Sequence, residues 1–231
     1  MRRLLRIGHR GAAGHAPENT LAAIRKGIDL GVDLVEIDVR HTADGVLVAL
    51  HDETLNRTTN GKGRVDRLSL SAVKMFNAGD GEHIPTVGEV LEVARGRVGL
   101  MLELKVIGVA RKTVAAVQEA EFKEPIIYAS FLHDELMDVR SVDAEASLMV
   151  LFGRLPRAPV ACAMEYRPSH VGLRHDTATR RLVDAFHHED MLVCVYTADS
   201  RVDIQHALTV GVDGVISNFP ERIVLSAPDE R

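Results

Sequence analysis

The chain has 231 residues, 46% hydrophobic and 26% charged, enough for one large domain or two small ones with a sizeable core. A net charge of −5, no Trp, three Tyr and six Phe argue against a basic face for nucleic acid or a platform of rings for stacking bases. The two cysteines, Cys162 in "VACAM" and Cys194 in "LVCVY", read as small core residues, which excludes a disulfide framework or thiolate zinc site.

The start, "MRRLLRIGHRG", has too short an apolar run for a signal peptide, and no stretch approaches the roughly 20 apolar residues of a membrane span. A cytoplasmic protein is the expectation. The first strand falls in 4–8 and a helix follows in "NTLAAIRKGIDLG", opened by a Thr cap and closed by Gly31. The second strand covers 32–39, and the turn dipeptide Asp44-Gly45 folds the chain back along "VLVAL". In "TVGEVLEVARG", Thr86 stands three before Glu89, the pattern of a capping box. Six further strands are expected at 98–106, 125–130, 146–152, 169–174, 191–197 and 212–217. Helical stretches alternate with them, except that 153–168 is too Pro-rich for a full helix. Eight strand–helix units in one chain predict parallel strands joined by right-handed crossovers. They favour a TIM (β/α)8 barrel over an open doubly wound sheet, with 1–231 as a single domain. No G-x-G-x-x-G turn follows the first strand, which lowers a dinucleotide-binding reading.

In such a barrel the chemistry gathers at the C-terminal ends of the strands. There the first strand offers His9 and Arg10, the second Glu36 and Asp38, and the third Glu103 and Lys105. Ser130, Tyr196, Thr197 and Asn218 mark later strand ends. Strand side chains alternate, so Glu36 and Asp38 share one face while Val35, Ile37 and Val39 take the other. With a two-residue loop at Asp44-Gly45, His51 would lie opposite Asp38; a three-residue loop would turn it away. Three carboxylates crowded together need a cation, and all-oxygen ligation suits Mg²⁺ or Ca²⁺. Arg10 and Lys105 suit a phosphate, and two histidines suit a general acid and a general base. The set reads as metal-assisted phosphoryl chemistry. The other nine histidines lack supporting residues and read as surface or structural.

The stretch "HRGAAGHAPENTLAAIRKGIDLGVDLVEIDVRHTADGVLVALHDETLNRTTNGKGRV" closely resembles the N-terminal signature of glycerophosphodiester phosphodiesterases. The likeness continues through "IPTVGEVL", "LELK", "ASF" and "GVDGVISNFP". It implies a TIM barrel with a short insertion after the second strand, at about 52–83. It implies hydrolysis of a small glycerophosphodiester to glycerol 3-phosphate and an alcohol, by attack of the substrate's own 2-hydroxyl and then opening of a cyclic phosphate by water. Glu36, Asp38 and Glu103 match the ligands of one divalent metal ion, Mg²⁺ or Ca²⁺. His9 and His51 match the acid–base pair, with His9 preferred as base. Arg10 and Lys105 match positions that bind phosphate and organise the site, Tyr196 lies on its substrate-binding wall, and Glu18 and Asn19 in "PENT" match a supporting motif. The chain departs from the family pattern twice: "YTAD" stands where W-T-V-N is common, and "SNFP" where T-D-x-P is usual. Tyr196, Asp199 and Asn218 stand at changed positions, and the Tyr and Asn changes bear on pocket lining and loop support, hence on substrate choice more than on reaction type. The alternatives are a phosphodiesterase acting on lysophospholipids and a non-catalytic relative that binds a phosphodiester.

Overall fold

A computed structural model describes residues 3–223. The two ends of the predicted 1–231 domain therefore lie outside the described residues. β1 (Leu5–Gly8) leads into α1 (Leu21–Asp29), β2 (Leu34–His41) and a short β3 (Leu47–Ala49). Then come α2 (Leu70–Val73), α3 (Val87–Ala94), β4 (Gly99–Leu104), α4 (Ala110–Glu119), β5 (Ile126–Ser130) and α5 (His133–Val142). β6 (Ser147–Phe152), α6 (Pro159–Met164), β7 (His170–Arg174), α7 (Arg180–His188), β8 (Leu192–Tyr196), α8 (Arg201–Val210) and β9 (Gly214–Ser217) complete the order. The Pro-rich segment yields only the one-and-a-half turns of α6, opened by Pro159, whose fixed φ suits a first helical position.

The sheet runs β1-β9-β8-β7-β6-β5-β4-β2-β3, and β1 also pairs with β2. That last pairing closes the ring, so the eight parallel strands form a barrel and the open-sheet alternative falls. Among the strands of the described residues only β3 is antiparallel, a spur on β2 outside the ring. Side-chain alternation sorts the core into two shells. Ile7, Leu34, Met101, Leu151, Cys194 and Ile216 fill the barrel. Val35, Ile37, Val39, Leu100, Leu102 and Leu104 face outward and pack in the larger shell with α1, α3 and α4. Cys194 is fully buried as expected, whereas Cys162 on α6 is only partly so.

Thr20 caps α1 by accepting from Ala23 N, and Thr86 and Glu89 form the anticipated reciprocal capping box on α3.

The hairpin register differs from the two-residue expectation. Val39 pairs with Ala49, Arg40 with Val48 and His41 with Leu47, while Thr42 N donates to Val46 O across 3.0 Å. The loop therefore has three residues, 43–45, with Gly45 in the left-handed region at φ 78°. Within this loop the Asp44 carboxylate accepts the backbone N–H of Leu70, at the start of α2. Leu50, not His51, stands opposite Asp38, with its N–H donating to Asp38 O across 2.9 Å. The inference that this register would turn His51 away also fails. β3 ends at Ala49, so strand alternation no longer governs His51.

Beyond β3 the chain builds a small satellite core from Val48, Leu50, Leu55, Val65, Val73 and Ile84 before it re-enters the barrel through α3.

Candidate active site

The inward parity of the strands places the acids. Leu34 points into the barrel, so Glu36 and Asp38, two and four residues on, point the same way toward its C-terminal mouth. Met101 does the same for Glu103, and Asp38 lies beside Glu103 in the β2–β4 register. One carboxylate oxygen from each acid can be chosen so that all three lie within 4.8 Å of one another, and all three residues are buried.

Around this trio the first loop supplies its own backbone and side chains. Arg10 and Asn19 both adopt left-handed backbone angles, φ 50° and 58°. Arg10 N donates to Glu36 Oε2 (2.7 Å). Asn19 grips Asp38 twice: Nδ2 donates to Oδ2 (2.8 Å) and Oδ1 accepts from Asp38 N (3.1 Å). The Arg10 guanidinium donates to Glu18 (2.7 Å) and lies 3.3 Å from Asp38 Oδ2. Lys105 Nζ donates to Glu103 (2.6 Å) and lies 3.4 Å from Asp38 Oδ1.

Burial, together with the neighbouring Asp38 and Glu103 charges, pushes the Glu36 carboxyl well above its ordinary range. Burial and Asp38 likewise push Glu103 up to about 7. Burial opposes the ionised form of Asp38 too, but Lys105 and Arg10 outweigh it and hold that carboxyl below its usual value. Two buried oxygens, Glu36 Oε1 and Asp38 Oδ1, have no hydrogen-bond partner. Buried acceptors are ordinarily satisfied. Orphaned oxygens in an all-carboxylate cluster fit a hard divalent cation, and the donor set contains no sulfur or imidazole that would point to zinc.

His9 and His51 line the same cavity, of about 230 Å³, as Glu36, Glu103, Arg10 and Lys105. His9 Nδ1 lies 2.8 Å from Asn218 Oδ1, and His51 Nδ1 lies 2.7 Å from Asp52 Oδ1. Burial lowers the pKa of both imidazoles. His51 is held from behind, its carbonyl accepting from Arg40 Nε across 2.8 Å. The rest of the lining is mostly apolar, built from Met101, Phe131, Leu151, Ile216 and the ring of Tyr196. The Tyr196 hydroxyl donates to Phe152 O (2.7 Å), so this residue offers the cavity its ring.

The ten candidate site residues, His9, Arg10, Glu18, Asn19, Glu36, Asp38, His51, Glu103, Lys105 and Tyr196, thus converge on this mouth, Glu18 and Asn19 from behind. Sequence reasoning missed Asp52 and Arg57. Arg57 forks to Glu18 (2.7 and 2.8 Å) and to Asp52 (2.7 and 3.1 Å), joining the Arg10 side of the site to the His51 side. Its hydrogen bonds hold the Asp52 carboxyl far below the usual range. Arg57 stands inside the quoted signature stretch, yet nothing in its spacing ties it to Glu18, 39 positions earlier.

The model of the glycerophosphoryl diester phosphodiesterase family matches residues 9–222. A glycerophosphodiester phosphodiesterase of Caldanaerobacter subterraneus subsp. tengcongensis is 32% identical, over 94% of this chain and 95% of that protein. The crystal structure of a glycerophosphodiester phosphodiesterase from Agrobacterium tumefaciens superposes with a TM-score of 0.84 at 30% identity, covering 96% of this chain and 99% of that one. An Oleispira antarctica phosphodiesterase in complex with the product sn-glycerol-3-phosphate superposes with a TM-score of 0.87 at 29% identity, covering 94% of each chain.

Proposed function

The chain belongs to the glycerophosphoryl diester phosphodiesterase family, and from that premise we propose a metal-dependent hydrolysis of glycerophosphodiesters by the His9–His51 pair, through a cyclic phosphate. The observation that carries the reading is one cavity lined by two histidines, two cations, Glu36 and Glu103, beside a buried three-carboxylate cluster in which Glu36 and Asp38 each keep an orphaned oxygen. The glycerol 3-phosphate complex of the Oleispira relative supports a small phosphate ester as occupant.

A divalent ion held by Glu36, Asp38 and Glu103 supplies, when bound, positive charge against the phosphoryl oxygens. Arg10 and Lys105 add fixed positive charge to the cavity wall, which orients an anionic diester. In the first step His9 Nε2 takes the proton of the glycerol 2-hydroxyl. The 2-oxygen forms a bond to phosphorus, the bond from phosphorus to the alcohol oxygen breaks, and His51 Nε2 gives that oxygen its proton. In the second step His51 takes a proton from water, whose oxygen bonds to phosphorus. The ring P–O2 bond breaks and His9 returns the proton to the 2-oxygen. The products are the alcohol and glycerol 3-phosphate, and both histidines end as they began. Asp52 sits behind His51 as a carboxylate, which favours the protonated ring an acid needs.

The test is product release from glycerophosphocholine, glycerophosphoethanolamine and lysophosphatidylcholine, with Mg²⁺ or Ca²⁺ and with EDTA. The proposal expects glycerol 3-phosphate from the first two, loss with EDTA, and a fall of about 10²–10⁴-fold in kcat for His9→Ala or His51→Ala. Turnover of the lysolipid alone would move the assignment to lipid substrates. Binding without turnover in any arm would make the chain a phosphodiester-binding relative.

A further inference from the structure

The mechanism above leaves unused the side chains behind His9, and these form a directed chain. Asn218 Oδ1 faces His9 Nδ1 at 2.8 Å, and Asn218 Nδ2 faces Asp199 Oδ2 at 2.7 Å. The other Asp199 oxygen accepts from Asn218 N (2.8 Å) and Ser217 Oγ (2.9 Å). The Asp199 carbonyl is held by Arg222 Nη1 at 2.8 Å.

Each link has only one sense. A carboxylate only accepts, so the amide nitrogen of Asn218 must be the atom turned toward Asp199. The amide oxygen then faces His9, and it too only accepts. The proton of a neutral His9 must therefore sit on Nδ1, which leaves Nε2 with its lone pair. We propose that Asp199 and Asn218 are positioning residues that fix His9 in the Nδ1–H tautomer and so make its Nε2 the proton acceptor of the first step. The proposal rests on the reading that His9 is a catalytic base.

Asp199 also bears on the two departures from the family pattern, which exchange an amide and a carboxylate between positions 199 and 218. Reversing only one of them should invert the relay. In Asp199→Asn, the new amide keeps its oxygen toward Asn218 N and Ser217 Oγ and turns its NH₂ toward the Asn218 side chain. Asn218 must then flip to accept, presenting its own NH₂ to His9 Nδ1. The ring responds with the Nε2–H tautomer, which cannot take a proton. In the double variant Asp199→Asn/Asn218→Asp, the amide at 199 donates to the carboxylate at 218. That carboxylate accepts from His9 Nδ1–H, and the original tautomer returns.

The experiment reads the tautomer directly, by two-bond ¹H–¹⁵N correlation of the His9 ring in the metal-free protein at a pH where the ring is neutral. It reads kcat and KM separately in the presence of Mg²⁺ or Ca²⁺. Wild type should show Nδ1 protonated and Nε2 bare. Asp199→Asn should show the reverse, with kcat down by at least about 100-fold and KM within about threefold, since a wrong-tautomer histidine can cost about 10⁴ in a serine-protease triad. The double variant should restore both the ring pattern and kcat to within about tenfold of wild type. A wild-type ring pattern in Asp199→Asn, or a double variant no more active than the single, overturns the proposal. Should the single variant not fold, the double decides alone: Nδ1–H with activity supports the relay, and Nε2–H or inactivity refutes it. Full activity in His9→Ala would instead sink the catalytic reading of His9, a separate outcome.

Discussion

Asn19 holds Asp38 from two sides while both are almost fully buried, at 3% and 1% exposure. Removing the amide strands the Asp38 N–H and one carboxylate oxygen. Asn19→Ala should therefore lower stability by about 1–3 kcal/mol in urea denaturation. Asn19→Asp should cost more despite its closer size, because it sets a second buried carboxylate against Asp38. An Asp variant as stable as the Ala variant would contradict this account of the grip. At this scale the sequence was informative where alternation alone decides: Glu36, Asp38 and Glu103 follow from inward parity and nothing else. It was uninformative where a contact depends on a side chain's reach. Asp199 and Asn218 stood out as departures, but the bonds of Asn218 to Asp199 and to His9 exist only once β9 lies between β8 and β1.

The hairpin shows what an element can conceal. Asp44-Gly45 signalled a turn but not its length, and in the three-residue loop that forms the Asp44 carboxylate accepts from Leu70 N, 26 residues on. His51 reaches the cavity because the strand ends early, so a local register argument could give neither its place nor its reason. Arg57 carries the link from the segment after β3 back to the first loop. Its planar fork makes a pair of hydrogen bonds to each of two carboxylates, four in all, which the three donors of a lysine cannot supply. We predict that Arg57→Ala and Arg57→Lys both lower kcat by about tenfold, through Asp52 and His51, while metal affinity measured by calorimetry stays near wild type. Full activity in Arg57→Lys would show that the fork does not matter. On α3, where the capping box was fully legible because it is local, Thr86→Ala should cost about 1 kcal/mol of stability with kcat unchanged.

Closure of the ring is the property of the whole molecule that places the site, because it brings His9 on the first strand beside Asn218 after the last. Alternating elements implied the barrel, and the β1–β2 and β1–β9 pairings complete it. At the opposite end, His170 opens β7 at 7% exposure, with Nδ1 2.8 Å from Ser169 Oγ. Burial lowers its pKa to about 4, against 6.5 for a free histidine. The unfolded chain then binds a proton that the folded chain refuses between those values. The contribution of His170 to stability is thus full above about pH 6.5 and falls as the pH drops toward 4, by about 2 kcal/mol at pH 5. His170→Gln should flatten that part of the profile, measured by urea denaturation at pH 7 and pH 5. An unchanged profile would mean that another group sets it.

On the proposed mechanism, Glu36, Asp38 and Glu103 hold one divalent ion on which hydrolysis depends. The most direct measurement titrates chelator-stripped protein with Mg²⁺ or Ca²⁺, following binding by calorimetry and glycerol 3-phosphate release on the same samples. The account predicts one ion per chain, activity rising in step with occupancy, and loss of both in Glu36→Gln with the fold intact. Activity that survives stripping, or binding that survives in Glu36→Gln, would contradict it.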